Sequence, residues 1–261
     1  MKWNDELIYQ LEEGVATIKL NRPERKNALS TSLVNKLADA WQEVDTNDAV
    51  KVVVLTSADC GVFCAGMDLK EAAEIKKQTG EDVLSKLKDP FHQRMRDCKK
   101  PIIAAMTGHL MAGGMLLSLN SDLRVGLTGT RVGITEAKMG RGSPWAVPLL
   151  GMLPQPLIME LVLTGEQLPI QRFYDVGFVN YLEETPDQVR EQAYRLAGII
   201  RDNAPLSVVA AKASILSAMS LGCNDGIKEA QRLHEVVYAS EDGIEGPLSF
   251  AEKRKPKWKG R

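Results

Sequence analysis

The 261-residue sequence has no apolar run long enough to cross a bilayer. Its most apolar stretch, Pro101 to Asn120, is broken by Thr107, Gly108, His109, Gly113 and Gly114, which a lipid-facing helix tolerates poorly. It reads instead as a buried strand, a turn and a buried helix, with no membrane role. Cysteine is sparse: Cys60, Cys64, Cys98 and Cys223 show no paired CxxC spacing, and the N-terminus opens with charged residues rather than an apolar signal. Reduced thiols and a cytoplasmic location are expected. No excess of charge of one sign exists either. With 33 Lys+Arg against 34 Asp+Glu, the net charge of -1 provides no global attraction to nucleic acid or to an anionic membrane, so any anion site is local. Histidine is limited to His92, His109 and His234, far apart and outside any HExxH pattern, which argues against a metal centre. A G-x-S-x-G turn for a hydrolase serine is missing, and Ala112-Gly113-Gly114 does not complete a dinucleotide fingerprint.

What is present is a chain with 44% hydrophobic and 26% charged residues, enough for one large globular domain or a core with a small appendage. Glu6 to Gln10 and Val15 to Leu20 are strand-forming runs around Glu12-Glu13-Gly14, the pattern of a tight hairpin. Ser30 is placed to cap an amphipathic helix carrying Leu33, Leu37, Trp41 and Val44 at helical spacing. Val52 to Leu55 and Ile102 to Ala105 are continuous apolar runs too short for helices, so both read as strands covered on two faces. The polar stretch from Glu71 to Lys100 reads as helix, mobile connection, helix, a kind of segment that often lies over a cleft. Beyond Asp187, Gln188 to Arg201, Leu206 to Met219 and Asp225 to Ala239 are helical in composition. Their apolar faces need something to pack on.

Two short segments carry most of the chemical information. Phe63-Cys64-Ala65-Gly66-Met67-Asp68-Leu69 and Thr107-Gly108-His109-Leu110-Met111-Ala112-Gly113-Gly114 each place glycine where a strand hands over to a helix. Glycine permits backbone conformations that leave N–H groups unpaired and approachable, and a helix start adds partial positive charge. Two such groups converging on one point form an oxyanion hole, in which each donor is worth about 2.7–4 kcal/mol in the transition state. Taken singly, each segment is equally an ordinary glycine turn.

Taken together and in order, the segments resemble the enoyl-CoA hydratase/isomerase (crotonase) superfamily. Asn21 to Leu29 is similar to its N-terminal signature, Phe63 to Asp68 to its first oxyanion segment and Gly108 to Asp122 to its second. Thr135-Glu136-Ala137-Lys138-Met139-Gly140 resembles its catalytic-glutamate segment, and Glu245-Gly246 with Phe250 to Arg254 its C-terminal one. The resemblance implies an α/β spiral core of repeated β-β-α turns over residues 1–195 and a helical C-terminal oligomerisation region over 196–261. It implies a homotrimer or homohexamer acting on an acyl-CoA thioester, with coenzyme A as part of the substrate and no separate cofactor or metal. By the same resemblance, the Met67 and Gly113 N–H groups bind the thioester oxygen and Glu136 moves a proton at the α-carbon. Arg25, Lys26, Ala28, Ala65, Asp68 and Leu69 fall where coenzyme A is contacted, beside Gly114 of the second segment. Phe250 and Lys253 match positions that reach the adenine end from an adjacent subunit. Without the pattern, Arg25 and Lys26 read as a solvated loop, Phe250 as a packing residue and Glu136 as a surface charge.

One departure bears on the reaction. Hydratases of this family usually carry a second glutamate just after the second glycine segment, and that position holds Leu116. Leucine cannot accept a proton, so a one-carboxylate shuttle that moves a double bond stays open beside hydration, including hydration of an unusual cyclic or dienoyl thioester. Arg141, Ser143 and Trp145 replace an expected glycine-rich run and are placed to reshape the acyl pocket. The alternative of another class is a non-catalytic RNA-binding protein on the same fold, suggested by Lys253, Arg254, Lys255, Lys257, Lys259 and Arg261. The patch is short, with only Trp258 interleaved, and a solubilising tail is the preferred reading, with no nucleic-acid partner.

Overall fold

The computed structural model describes residues 6–261. Its strands are β1 (Leu7–Glu12), β2 (Val15–Leu20), β3 (Val52–Ser57), β4 (Val62–Cys64), β5 (Ile102–Met106), β6 (His109–Met111), β7 (Leu123–Leu127), β8 (Arg131–Gly133), β9 (Gln167–Pro169) and β10 (Tyr181–Glu183). Its α-helices are α1 (Thr31–Thr46), α2 (Leu69–Thr79), α3 (Gln93–Asp97), α4 (Gly113–Leu119), α5 (Gln155–Thr164), α6 (Ile170–Asp175), α7 (Pro186–Arg201), α8 (Pro205–Ala218), α9 (Cys223–Tyr238) and α10 (Glu241–Ala251).

The strands divide between a six-stranded sheet, in the order β1-β2-β3-β5-β7-β10, and a four-stranded sheet, in the order β4-β6-β8-β9. The chain alternates between them. Three strands of the first sheet, β3, β5 and β7, run on into three-residue strands of the second, so β3-β4, β5-β6 and β7-β8 each add one parallel strand to both sheets. Successive β-β-α turns therefore wind as a spiral. The hairpin read from Glu12-Glu13-Gly14 is present, with Glu13 and Gly14 both at positive φ, as a two-residue hairpin turn requires.

Both faces of the large sheet are dry, which explains the unbroken apolar runs of β3 and β5. One face carries Val53, Leu55, Ile102 and Ala104 against Leu33, Leu37 and Trp41 of α1, whose first turn is capped by the Ser30 hydroxyl accepting from Leu33 N at 3.0 Å. The other carries Val52, Val54, Ile103 and Ala105 against Val189, Ala193, Leu196 and Ala197 of α7. Helix α7 thus runs unbroken through residue 195, the expected division, and covers the sheet to its end at Arg201. Beyond it, α8 and α9 pair with each other and α10 follows. No helix among the described residues is long and apolar enough to cross a membrane.

Candidate active site

The two glycine segments meet at the ends of β4 and β6, where α2 and α4 begin. Gly66 has φ +85°, and a Cβ placed there would stand 2.7 Å from the Ala112 Cβ and 3.2 Å from Gly113 N. Gly113 is confined in the same way: its Cβ would lie 2.7 Å from Leu29 Cδ1 and 3.3 Å from Gly66 Cα. Only hydrogen at these positions lets the turns touch. Ala112, between them, holds φ 49°, ψ -110°, a strained conformation for a residue with a Cβ. Gly114 lies behind, close against the Cys64 carbonyl.

Hydrogen-bond accounting isolates two amides. Around the first turn, Ala65 N donates to Lys26 O, Gly66 N to Cys64 Sγ, and Asp68 N to Leu29 O, while Gly66 O accepts from Leu29 N. Around the second, Ala112 N donates to Gly133 O and Leu116 N to Ala112 O. Among the described residues, neither Met67 N–H nor Gly113 N–H donates to a protein acceptor. Both residues line a cavity of about 120 Å³.

Polar groups behind the cavity fix these turns. The buried Arg124 guanidinium donates to the Ser118, Leu119 and Ser121 carbonyls and lies 4.2 Å from the Phe178 ring centroid. It satisfies carbonyls at the C-terminal end of α4, the helix that Gly113 opens. On the other side, the fully buried Asn27 amide donates to Ala58 O and Val62 O, tying the Asn21–Leu29 loop to β4. Asp68 caps α2 through Glu71 N and pairs with Arg22 at 3.1 Å, so its carboxylate is engaged within the protein and held below the usual carboxylate range.

In the same cavity lining, Glu136 opens a 3-10 turn, Glu136–Met139. Its Oε2 is buried without a partner, and burial raises its pKa above the ordinary carboxylate value, against hydrogen bonding from its own backbone and from the Trp145 side chain. Trp145 and Leu116 are buried in the same wall. A charged carboxylate is costly in such surroundings, which favours the protonated form.

Of the expected coenzyme A contacts, Ala65 and Leu69 reach the cavity lining. Arg25 and Lys26 lie exposed on the loop beside it, with Lys26 joined to Ala65, and Ala28 is buried behind. Phe250, 86% exposed, and Lys253 sit at the end of α10, outside that lining. The basic tail is folded back on α10: Arg254 pairs with Glu245, and Lys259 and Arg261 pair with Glu241, which neutralises much of the charge that suggested RNA binding.

The segment between α2 and β5 closes the cavity. It supplies Leu84, Leu87, Phe91 and His92, and Asp82 forms a two-pronged ion pair with Arg141 of the opposite wall. Sequence reasoning anticipated a cover from this segment but not these residues. His92 in particular carries no local signal: a single histidine between Phe91 and Gln93 matches no spacing rule.

The spiral α/β fold, with two unengaged amides and a part-buried glutamate lining one cavity, is the arrangement expected of a crotonase-type protein. The family model for enoyl-CoA hydratase/isomerase matches residues 10–261. The chain is 35% identical to enoyl-CoA hydratase EchA19 of Mycobacterium tuberculosis, covering 94% of this chain and 92% of that one. It is 32% identical to (E)-benzylidenesuccinyl-CoA hydratase of Thauera aromatica, covering 96% and 98%. The crystal structure of an enoyl-CoA hydratase from Mycobacterium tuberculosis H37Rv superposes with a TM-score of 0.88 at 34% identity, over 99% of this chain and 100% of that one. The chain belongs to the enoyl-CoA hydratase/isomerase family of the crotonase superfamily, and the expected fold is the observed one.

Proposed function

We propose that this enzyme draws the carbonyl of an acyl-CoA thioester between the Met67 and Gly113 N–H groups and transfers a proton at the α-carbon through Glu136. The observation that carries the reading is the pair of amides without protein acceptors, on turns that touch, in a cavity shared with a carboxyl of raised pKa. Negative charge forming on the thioester oxygen as the enolate develops meets donors already in place, the source of oxyanion-type stabilisation. Arg25 and Lys26 provide exposed cations for the coenzyme A phosphates beside Ala65 and Leu69, while Phe250 and Lys253 serve a neighbouring subunit in a trimer or hexamer. The group handled is the substrate's own thioester, so no further cofactor enters this step.

Hydration is the first reading of the overall reaction, since both relatives described above are hydratases by name. Double-bond migration is the second, favoured by Leu116 in the cavity wall. Incubation with a panel of enoyl-CoA esters in heavy-oxygen water separates them. Label in a product hydroxyl marks hydration, and a mass-neutral shift of the double bond marks isomerisation. Glu136→Gln is expected to lose about 10²-fold or more of either activity. Undiminished turnover in that variant would move the chemistry to another residue.

A further inference from the structure

His92 stands in the cavity wall and has no part in the chemistry described so far. It is 1% exposed, and its Nδ1 has no hydrogen-bond partner. A buried polar atom without a partner is destabilising, and a bound polar group can relieve it.

The His92 backbone is itself firmly held. His92 holds φ 50°, ψ 43°, in the left-handed region. Its N–H donates to Asp89 O at 3.2 Å, and its carbonyl accepts from Met95 N at 3.1 Å and from Asn120 Nδ2 at 3.4 Å. Asn120 lies one helical turn beyond Leu116 and donates its own N–H to the Leu116 carbonyl. The His92 backbone is therefore tied to the C-terminal end of α4, and Leu116 of that helix lines the same cavity as His92.

The charged groups around the ring have other engagements. The Asp89 oxygens accept from Gln93 N at 2.7 Å and Arg94 N at 2.9 Å, and Arg141 is held by Asp82. Glu136 is the exception, lining the same cavity with its Oε2 unpartnered.

We propose that His92 is a catalytic residue of this site, whose imidazole binds the oxygen that joins the β-carbon of the enoyl thioester and accepts its proton, so that the reaction is hydration. The proposal rests on the roles given above to Glu136 and the two amides. A lone pair of water forms the bond to the β-carbon, and the π electrons of the double bond pass through the α-carbon to the thioester oxygen. The proton lost by the water goes to the imidazole. The enolate then collapses as the Glu136 carboxyl proton bonds to the α-carbon. One water has been added, and a single proton passing from imidazolium to carboxylate, by way of the product hydroxyl or solvent, restores both groups. Burial keeps the imidazole neutral by drawing its pKa down to about 4, although Asp89 pulls the other way. So weak a base suffices, because water already bonding to carbon is far more acidic than imidazolium.

The test compares the wild type with His92→Asn and Glu136→Gln. Asparagine tolerates the left-handed backbone and keeps a polar tip, but it is not a base. Two rates are read. Deuterium uptake at the α-carbon of saturated acyl-CoA esters needs only the amides and Glu136, whereas heavy-oxygen incorporation into short- and medium-chain enoyl-CoA esters needs the second group as well. The wild type is expected to do both and Glu136→Gln neither. His92→Asn is expected to keep deuterium uptake within a factor of a few and to lose about 10²-fold of oxygen incorporation. Hydration by His92→Asn near the wild-type rate, with uptake intact, overturns the role of His92 and leaves that of Glu136 standing. Loss of both rates in His92→Asn also overturns it, because the residue is then a support of the fold. Wild-type double-bond migration without oxygen incorporation does the same. Absence of uptake in the wild type overturns the Glu136 reading itself, and His92 with it.

Discussion

Gly66 controls how near the two amide-bearing turns come, and it does so by having no side chain. At φ +85°, with the Ala112 Cβ 2.7 Å from where its own would be, Gly66→Ala combines backbone strain with a collision that must push the turns apart. We expect kcat to fall by about 10²-fold, near the effect of removing one oxyanion donor, as read by steady-state kinetics on the best enoyl-CoA ester. Wild-type kcat would dissociate the turn contact from catalysis. Glu136 makes a second prediction, on stability. Its folded pKa is raised by burial, so the folded state gains from the protonated form. That contribution is whole below the unfolded value of about 4.3 and is lost as pH rises through the folded pKa. Glu136→Gln should therefore melt progressively higher than the wild type as pH is raised from acid to neutral, and a gap that stays constant with pH would contradict the burial argument. Candidate residues were legible where they sat in an ordered pattern: Met67, Gly113 and Glu136 were singled out by segment order, and all three line one cavity. His92 was not, because its place depends on a left-handed backbone and on Asn120, 28 positions away.

At the scale of elements, long pieces were readable and short ones were not. The Ser30 cap with the apolar face of α1, and the covered strands β3 and β5, follow directly from period and composition. Strands β4, β6, β8 and β9 have three residues each, too few to show a period, so the second sheet went unseen and its glycine turns read as direct handovers from the large sheet. Helix α10 was also missed, since Pro247 lies within it and Gly243 and Gly246 precede that proline in the sequence. The cover over the cavity is an element-scale feature as well, pinned to the opposite wall by the Asp82–Arg141 pair. Exposed pairs contribute only about 0–1 kcal/mol, so Asp82→Asn should leave the melting temperature nearly unchanged. It should instead raise KM and speed amide hydrogen exchange through residues 82–92, with kcat little affected. Unchanged exchange in that segment would show that the apolar contacts of Leu84, Leu87 and Phe91 hold the cover unaided.

The whole molecule leaves apolar surface that one chain does not cover. Ile215, Tyr238, Ile244 and Phe250 are 71%, 80%, 71% and 86% exposed, on α8, the end of α9, and α10. Exposed apolar residues gathered on terminal helices mark a protein–protein contact, which fits the proposed trimer or hexamer. Sedimentation should accordingly give three or six times the chain mass. The variant Ile215→Asp with Tyr238→Asp places charge on that surface and should dissociate the assembly while leaving the large sheet, buried under α1 and α7, intact. Because Met67, Gly113 and Glu136 all line one chain's cavity, the dissociated form should still exchange the α-proton of a saturating acyl-CoA ester. Its KM should rise by about tenfold or more, the loss expected when a charged contact such as Lys253 and the Phe250 ring no longer come from a neighbour. A dissociated form that keeps wild-type KM would show that coenzyme A is held within one chain, and would return Phe250 and Lys253 to a packing role.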